Sequence, residues 1–146
     1  MKITLAIGAL VALCQSALAL KDGTYSIGSA ALQSNKVLTD VGQNEELEFS
    51  EKSNNPYQTW FFTKKGGERD FVIQNLSGGY IDCGVEPGTH CVSGDDEEIY
   101  TVEQSIDGDY ELVSKKTGYF LHAVDKGLQL AEWSPSPEQE FILTPI

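Results

Sequence analysis

Three aromatic residues, Trp60, Tyr100 and Phe141, stand about forty residues apart, and each closes the same ordered set of short segments. An aromatic-x-aliphatic opener recurs as Tyr25-x-Ile27, Phe71-x-Ile73 and Tyr110-x-Leu112. An aliphatic position follows at Leu38, Ile81 and Leu121, and the closers are Gln58-x-Trp60, Glu98-x-Tyr100 and Gln139-x-Phe141. A unit this small cannot enclose a core alone. It must bury its apolar face against copies of itself, so the period predicts an architecture made by rotating one unit.

Within each unit the apolar residues alternate with polar ones over short stretches, as in Tyr25 to Ile27, Leu47 to Phe49, Phe71 to Ile73, Tyr110 to Leu112 and Leu128 to Leu130. No stretch sustains helical spacing over ten positions, because Gly, Asn, Ser and Asp interrupt every apolar run. Three four-stranded units give an all-β chain. A six-stranded barrel capped by three hairpins, the β-trefoil with pseudo-threefold symmetry, closes such a sheet and removes its edges. A propeller also uses four-stranded units but needs at least four blades. The repeats fall at about 22–66, 68–107 and 108–146, with the aromatic closers expected to meet near the threefold axis. Ser77-Gly78-Gly79 and the Lys115 to Gly118 segment supply equivalent turns in the second and third units. Asp107-Gly108 reads as a tight hairpin between them.

The first nineteen residues read as a secretory signal peptide: Lys2, an apolar run from Ile3 to Leu13, then Ala17-Leu18-Ala19 before the cleavage point. That leaves one domain over 20–146, placed outside the cell. The formal net charge is −12, and loss of Lys2 makes the mature chain one unit more acidic. Such a surface repels phosphate backbones and anionic lipid, which excludes nucleic acid and membranes as partners. Cys14 leaves with the leader. Cys83 and Cys91, on either side of the Pro87-Gly88 reversal, are then an even pair expected to form a disulfide in an oxidising compartment. With His90 they make too few ligands for a structural zinc site, so no metal is expected. Asn75-Leu76-Ser77 fits the glycosylation acceptor pattern ahead of the Gly78-Gly79 turn, so Asn75 is expected to be exposed and modified.

The opener Asp22-Gly23-Thr24-Tyr25-Ser26-Ile27, the Gln58-x-Trp60 closer and its copy Gln139-x-Phe141 resemble the ricin-B-type β-trefoils over essentially the whole mature chain. Two branches of that superfamily bear on function. The third repeat, Gly118-Tyr119-Phe120-Leu121 through Glu138 to Leu143, looks more like the small fungal β-trefoil protease inhibitors similar to cospin, cnispin and the mycocypins. Ricin-B-type lectins are the alternative. The lectin resemblance implies an Asp at the end of each second strand, an aromatic platform beyond it and an Asn near the Gln-x-Trp. The first repeat has Thr39 at the Asp position, with Asp40 one residue late and on the opposite face. The second has Asp82 in register but Glu98-Ile99-Tyr100 as closer, and the third has His122. No repeat holds the full set. Asp82 is the candidate sugar contact, while Gln58, Trp60, Tyr100, Gln139 and Phe141 are assigned to the fold.

An inhibitor needs only a rigid scaffold and an exposed loop. Lys64 to Arg69 joins the first two repeats and holds the only Arg, so Lys64, Lys65 and Arg69 are the candidate contacts with a trypsin-like enzyme. Val41 to Glu46, with Asn44, is the second candidate loop. Catalytic inventory is lacking: there is no Gly-x-Ser-x-Gly, His-Glu-x-x-His or phosphate loop, and only two histidines. The sequence therefore reads as a secreted, monomeric, non-enzymatic binding protein without a cofactor. Its expected partner is an extracellular protease, ahead of a glycan.

Overall fold

The computed structural model describes residues 19–146, and the leader expected upstream lies outside them apart from Ala19. The described residues form twelve strands, four in each repeat. The first repeat holds β1 (Gly23–Ser29), β2 (Lys36–Thr39), β3 (Glu48–Glu51) and β4 (Trp60–Lys64). The second holds β5 (Asp70–Asn75), β6 (Tyr80–Asp82), β7 (Val92–Gly94) and β8 (Ile99–Gln104). The third holds β9 (Tyr110–Ser114), β10 (Phe120–Val124), β11 (Gly127–Ala131) and β12 (Phe141–Pro145).

The antiparallel pairings β1–β4, β4–β5, β5–β8, β8–β9, β9–β12 and β12–β1 return to their starting strand, so they close a six-stranded barrel. The remaining strands form the hairpins β2–β3, β6–β7 and β10–β11, which cap one end. Backbone bonds lace the three hairpins together. Leu47 N–H donates to Cys91 O at 3.0 Å, Cys91 N–H donates to Leu128 O at 2.8 Å, and Gly127 pairs with Glu48. All three of Leu47, Cys91 and Leu128 are buried. The expected Cys83–Cys91 disulfide is present and closes the β6–β7 loop. The fold is the β-trefoil that the repeat predicts.

Each closer is buried, and two of them spend their polar atoms on the hairpin beside them. Trp60 Nε1 donates to Leu38 O at 3.0 Å, and Tyr100 Oη donates to Ile81 O at 2.9 Å. Burial, then the nearby carboxylates of Glu98 and Asp82, push the Tyr100 hydroxyl far above the ordinary phenol range, so it keeps the proton that it donates here. Ring-on-ring contacts among the described residues join Tyr25, Phe62 and Phe71, at 5.3 and 6.0 Å between centroids. The three closers belong to the same buried cluster.

Gln58 and Gln139 show why the Gln-x-aromatic pattern persists. Gln58 Oε1 accepts from Ser53 N–H at 2.8 Å, and its Nε2 donates to Glu51 O at 2.8 Å and Thr39 Oγ1 at 3.2 Å. Gln139 repeats this with Ser134 N–H, Glu132 O and His122 Nδ1 at 2.9, 2.8 and 3.1 Å. In the second repeat Glu98 cannot donate and turns instead to Lys116 at 2.9 Å. Replacing Gln58 or Gln139 by Ala leaves a part-buried N–H and a carbonyl without these partners, which should cost about 1–2 kcal/mol, read from the urea midpoint.

A second tie links the start of β5 to its neighbours. Buried Asp70 accepts from Lys115 Nζ at 2.8 Å and Thr101 Oγ1 at 2.8 Å. These bonds, the Lys115 one foremost, hold its carboxyl below the usual carboxylate range. A lowered folded value means that the stabilisation is present above the unfolded pKa and is lost as pH falls through the folded one. Thermal midpoints measured from about pH 5 down to about pH 2 should therefore fall, and the Asp70→Asn variant should show a shallower dependence.

Candidate functional site

The sequence-predicted sites fare differently once placed in the fold. Asp82 lies at the end of β6, half-buried, and its Oδ1 accepts from Gly84 N–H at 3.1 Å. It acts as a turn former. The third-strand residues paired with Thr39, Asp82 and His122 are Glu48, Val92 and Gln129, and none carries a ring. The Lys64 to Arg69 loop is exposed, but its cations are drawn to separate carboxylates. Lys64 pairs with Glu68 at 3.9 Å, Lys65 with Glu97 at 2.6 Å and Arg69 with Glu103 at 3.2 Å. They do not converge. Surface pairs of this kind contribute little energy.

The loop with Asn44 is held along its length. Asn44 adopts a left-handed conformation (φ 64°), and its N–H donates to Ser93 O at 2.7 Å. Ser93 N–H donates back to Glu45 O at 3.1 Å, and Glu46 bridges Val92. This stitch lays a first-repeat loop along β7 of the second repeat, and a cleft of about 750 Å³ opens where they meet. Its lining comes from both repeats: Asp40 to Gln43 and Tyr57 on one side, Ser77 to Gly79 and Ser93 to Asp95 on the other.

Asp40 forms the floor. The sequence correctly placed it opposite the Thr39 face, but that face is the cleft. Asp40 is only 5% exposed, and both carboxylate oxygens accept hydrogen bonds. Oδ1 takes Gly42 N–H at 3.0 Å, and Oδ2 takes Ser77 Oγ–H at 3.0 Å and Ser93 Oγ–H at 2.8 Å. Two glycines leave room for this arrangement. A Cβ on Gly79 would sit 1.9 Å from Ser93 Oγ and 2.8 Å from Asp40 Oδ2, and one on Gly94 would meet Asp82. At the rim, Gln43 Nε2 bonds both carboxylate oxygens of Asp95, at 2.9 and 3.2 Å.

The Tyr57 side chain is 53% exposed at the rim, yet its backbone is rigidly held. It lies in the 3-10 turn Pro56–Gln58, where its N–H donates to Asn55 Oδ1 at 2.9 Å. Its carbonyl accepts from Asp40 N–H and from Asn75 Nδ2, both at 2.9 Å. The expectation that Asn75 is exposed is thereby corrected. Asn75 is 2% exposed, its amide nitrogen is committed to Tyr57, and its Oδ1 accepts from Ser77 N–H. Asn75-Leu76-Ser77 is an Asx turn that seats Tyr57 and Ser77 at the cleft. Asn75→Ala should cost about 1–3 kcal/mol in chemical denaturation, where an exposed acceptor asparagine would be nearly neutral.

Sequence reasoning missed Asp40, Tyr57, Ser77 and Ser93 as a group. The signals present were the shared Asp-x-Gly spacing of Asp40-x-Gly42 and Asp82-x-Gly84, and the paired glycines before Tyr80.

A closed six-stranded barrel and three capping hairpins define the β-trefoil fold. Solved structures agree. The chain superposes on the designed 3-fold symmetric protein ThreeFoil with a TM-score of 0.76 at 17% identity, covering 86% of this chain and 100% of that one. It is similar to the Rhizoctonia solani agglutinin (TM-score 0.77, 12% identity, 88% and 99% covered). It is also similar to the Macrolepiota procera ricin B-like lectin solved with lactose (TM-score 0.74, 18% identity, 87% and 99% covered). No family model and no curated protein matches the sequence.

Proposed function

We propose that the protein is a carbohydrate-binding β-trefoil that takes its ligand in the cleft between the first and second repeats. One observation carries this reading: the buried Asp40 carboxylate forms the floor of a cleft with the ring of Tyr57 exposed at its rim. A sugar offers hydroxyl groups that donate to oxygen and a C–H face that packs on an aromatic ring, so it fits both features. The cleft volume lies within the range of small-molecule sites, and both elements are held before any ligand arrives. The lactose-bound and agglutinin neighbours support the same class of ligand.

The reading includes export through the leader in residues 1–19 and action as a monomer without catalysis. Protease inhibition through Lys64, Lys65 and Arg69 draws no support from the three separately paired cations. A glycan array followed by titration calorimetry on the mature protein tests the proposal. Tyr57→Ala should weaken the best glycan about tenfold with little change in thermal midpoint, because the side chain is exposed. Asp82→Ala should leave glycan affinity unchanged. Loss of binding in Asp82→Ala, with Tyr57→Ala unaffected, would move the site to the second-repeat hairpin.

A further inference from the structure

Apart from the Tyr57 hydroxyl, the side-chain polar atoms that line the inter-repeat cleft are unbalanced between donors and acceptors. Asp40 and Asp95 bring carboxylates, which only accept. The Ser93 hydroxyl proton is directed at Asp40. The Ser77 hydroxyl faces Asp40 Oδ2 at 3.0 Å and Asn75 Oδ1 at 2.6 Å, so its proton is also committed, whichever oxygen holds it. Both serine oxygens are left with lone pairs. The Gln43 amide nitrogen is spent on Asp95, and its carbonyl oxygen remains free to accept. Among the described residues, no Lys, Arg or His lines the cleft.

Charge is unbalanced in the same direction. Asp40 is buried, yet all three of its donors are neutral. Neither Asp40 nor Asp95 takes part in a salt bridge among the described residues, whereas Lys64, Lys65, Arg69, Lys115, Lys116 and Lys126 pair with carboxylates elsewhere. The whole chain carries a formal charge of −12, which deepens the negative potential in a concave site. A ligand with a carboxylate or sulfate would meet two like charges there. A ligand with an ammonium group would bring three donors and the missing positive charge.

Resting on the carbohydrate reading above, we propose that the cleft selects amino sugars with a free ammonium group, of the glucosamine type, over their N-acetylated and acidic counterparts. The ammonium is placed against Asp40 and the serine oxygens, the ring hydroxyls against Gln43 and Asp95, and a C–H face against Tyr57. N-acetylation removes the charge and two of the donors and adds a carbonyl acceptor to a cleft already rich in acceptors.

The test is calorimetric titration of the mature protein with a glucosamine tetramer, its fully N-acetylated form, lactose and a sialylated lactose. The glucosamine tetramer should bind at least about tenfold more tightly than the N-acetylated one, because hydrogen bonds to charged groups exceed neutral ones by about that factor. That ratio should shrink as salt is raised. In Asp40→Asn, which keeps the size of the side chain, it should fall to near one. Should Asp40→Asn fail to fold, Asp95→Asn must lower the same ratio. Equal or tighter binding of the N-acetylated or sialylated ligand would overturn amino-sugar selection while leaving the carbohydrate reading in place. An amine preference that survives both Asp variants would overturn it too, assigning the effect to the bulk charge of the protein. A lysine peptide that binds more tightly than its acetylated form, with no glucosamine binding, would give the site to basic peptide side chains. Absence of binding to every glycan would remove the carbohydrate reading itself.

Discussion

Pairing of β1 with β12 joins the first strand of the domain to the last, and the rest of the structure depends on that closure. Register from Tyr25–Pro145 to Ser29–Phe141 brings the chain ends together and leaves the barrel without an exposed edge. A closed barrel of short strands has an open end that its own side chains must fill. The three hairpins cover it, and they are interlocked by the backbone bonds at Leu47, Cys91 and Leu128. The disulfide fits this plan. Cys91 stands where the other repeats place Leu47 and Leu128, so the bridge anchors the longest hairpin loop to the interlocking point without adding a polar group to it.

Symmetry of the scaffold and asymmetry of the surface follow from different residues. Trp60, Tyr100 and Phe141 fill equivalent positions, and two of the three repeats keep the same glutamine network. The position that follows Thr39, Asp82 and His122 has diverged: Asp40 in the first repeat, Cys83 in the second and Ala123 in the third. All three are buried. Only the first brings charge, and only there does the neighbouring repeat supply hydroxyls at Ser77 and Ser93 to receive it. A buried carboxylate is costly unless its oxygens are satisfied, so the cleft is built by a partnership across a repeat boundary.

Pre-organisation is the common theme of the residues around the cleft. Asn75 holds Tyr57 by its carbonyl, the same carbonyl holds the Asp40 amide, and Asn44 ties the overlying loop to β7. Glycine at 79 is demanded by the closeness of Asp40 and Ser93, where no side chain fits. Binding at such a site needs little further ordering of the protein, which is where much of the cost of association otherwise falls.

The all-β class, the period of about forty residues, the hairpin turns and the Cys83–Cys91 pair were legible in the sequence, because each arises from local spacing that survives in one dimension. Alternation identified β9 and β11 well. It described β1 and β5 less well, since Ser26, Asp70 and Val72 are buried along with their apolar neighbours. The burial of Asn75 was not legible because a three-residue acceptor pattern and an Asx turn are spelled alike, and only the fold brings its amide to Tyr57. Asp40 and Tyr57 were missed for a related reason. Asp40 reaches serines 37 and 53 residues away, and no periodicity encodes which face of one repeat meets which loop of the next. The sequence by itself determined the repeating unit and its core. Tertiary structure alone decided the cleft, because that site exists only where two rotated copies of the unit come into contact.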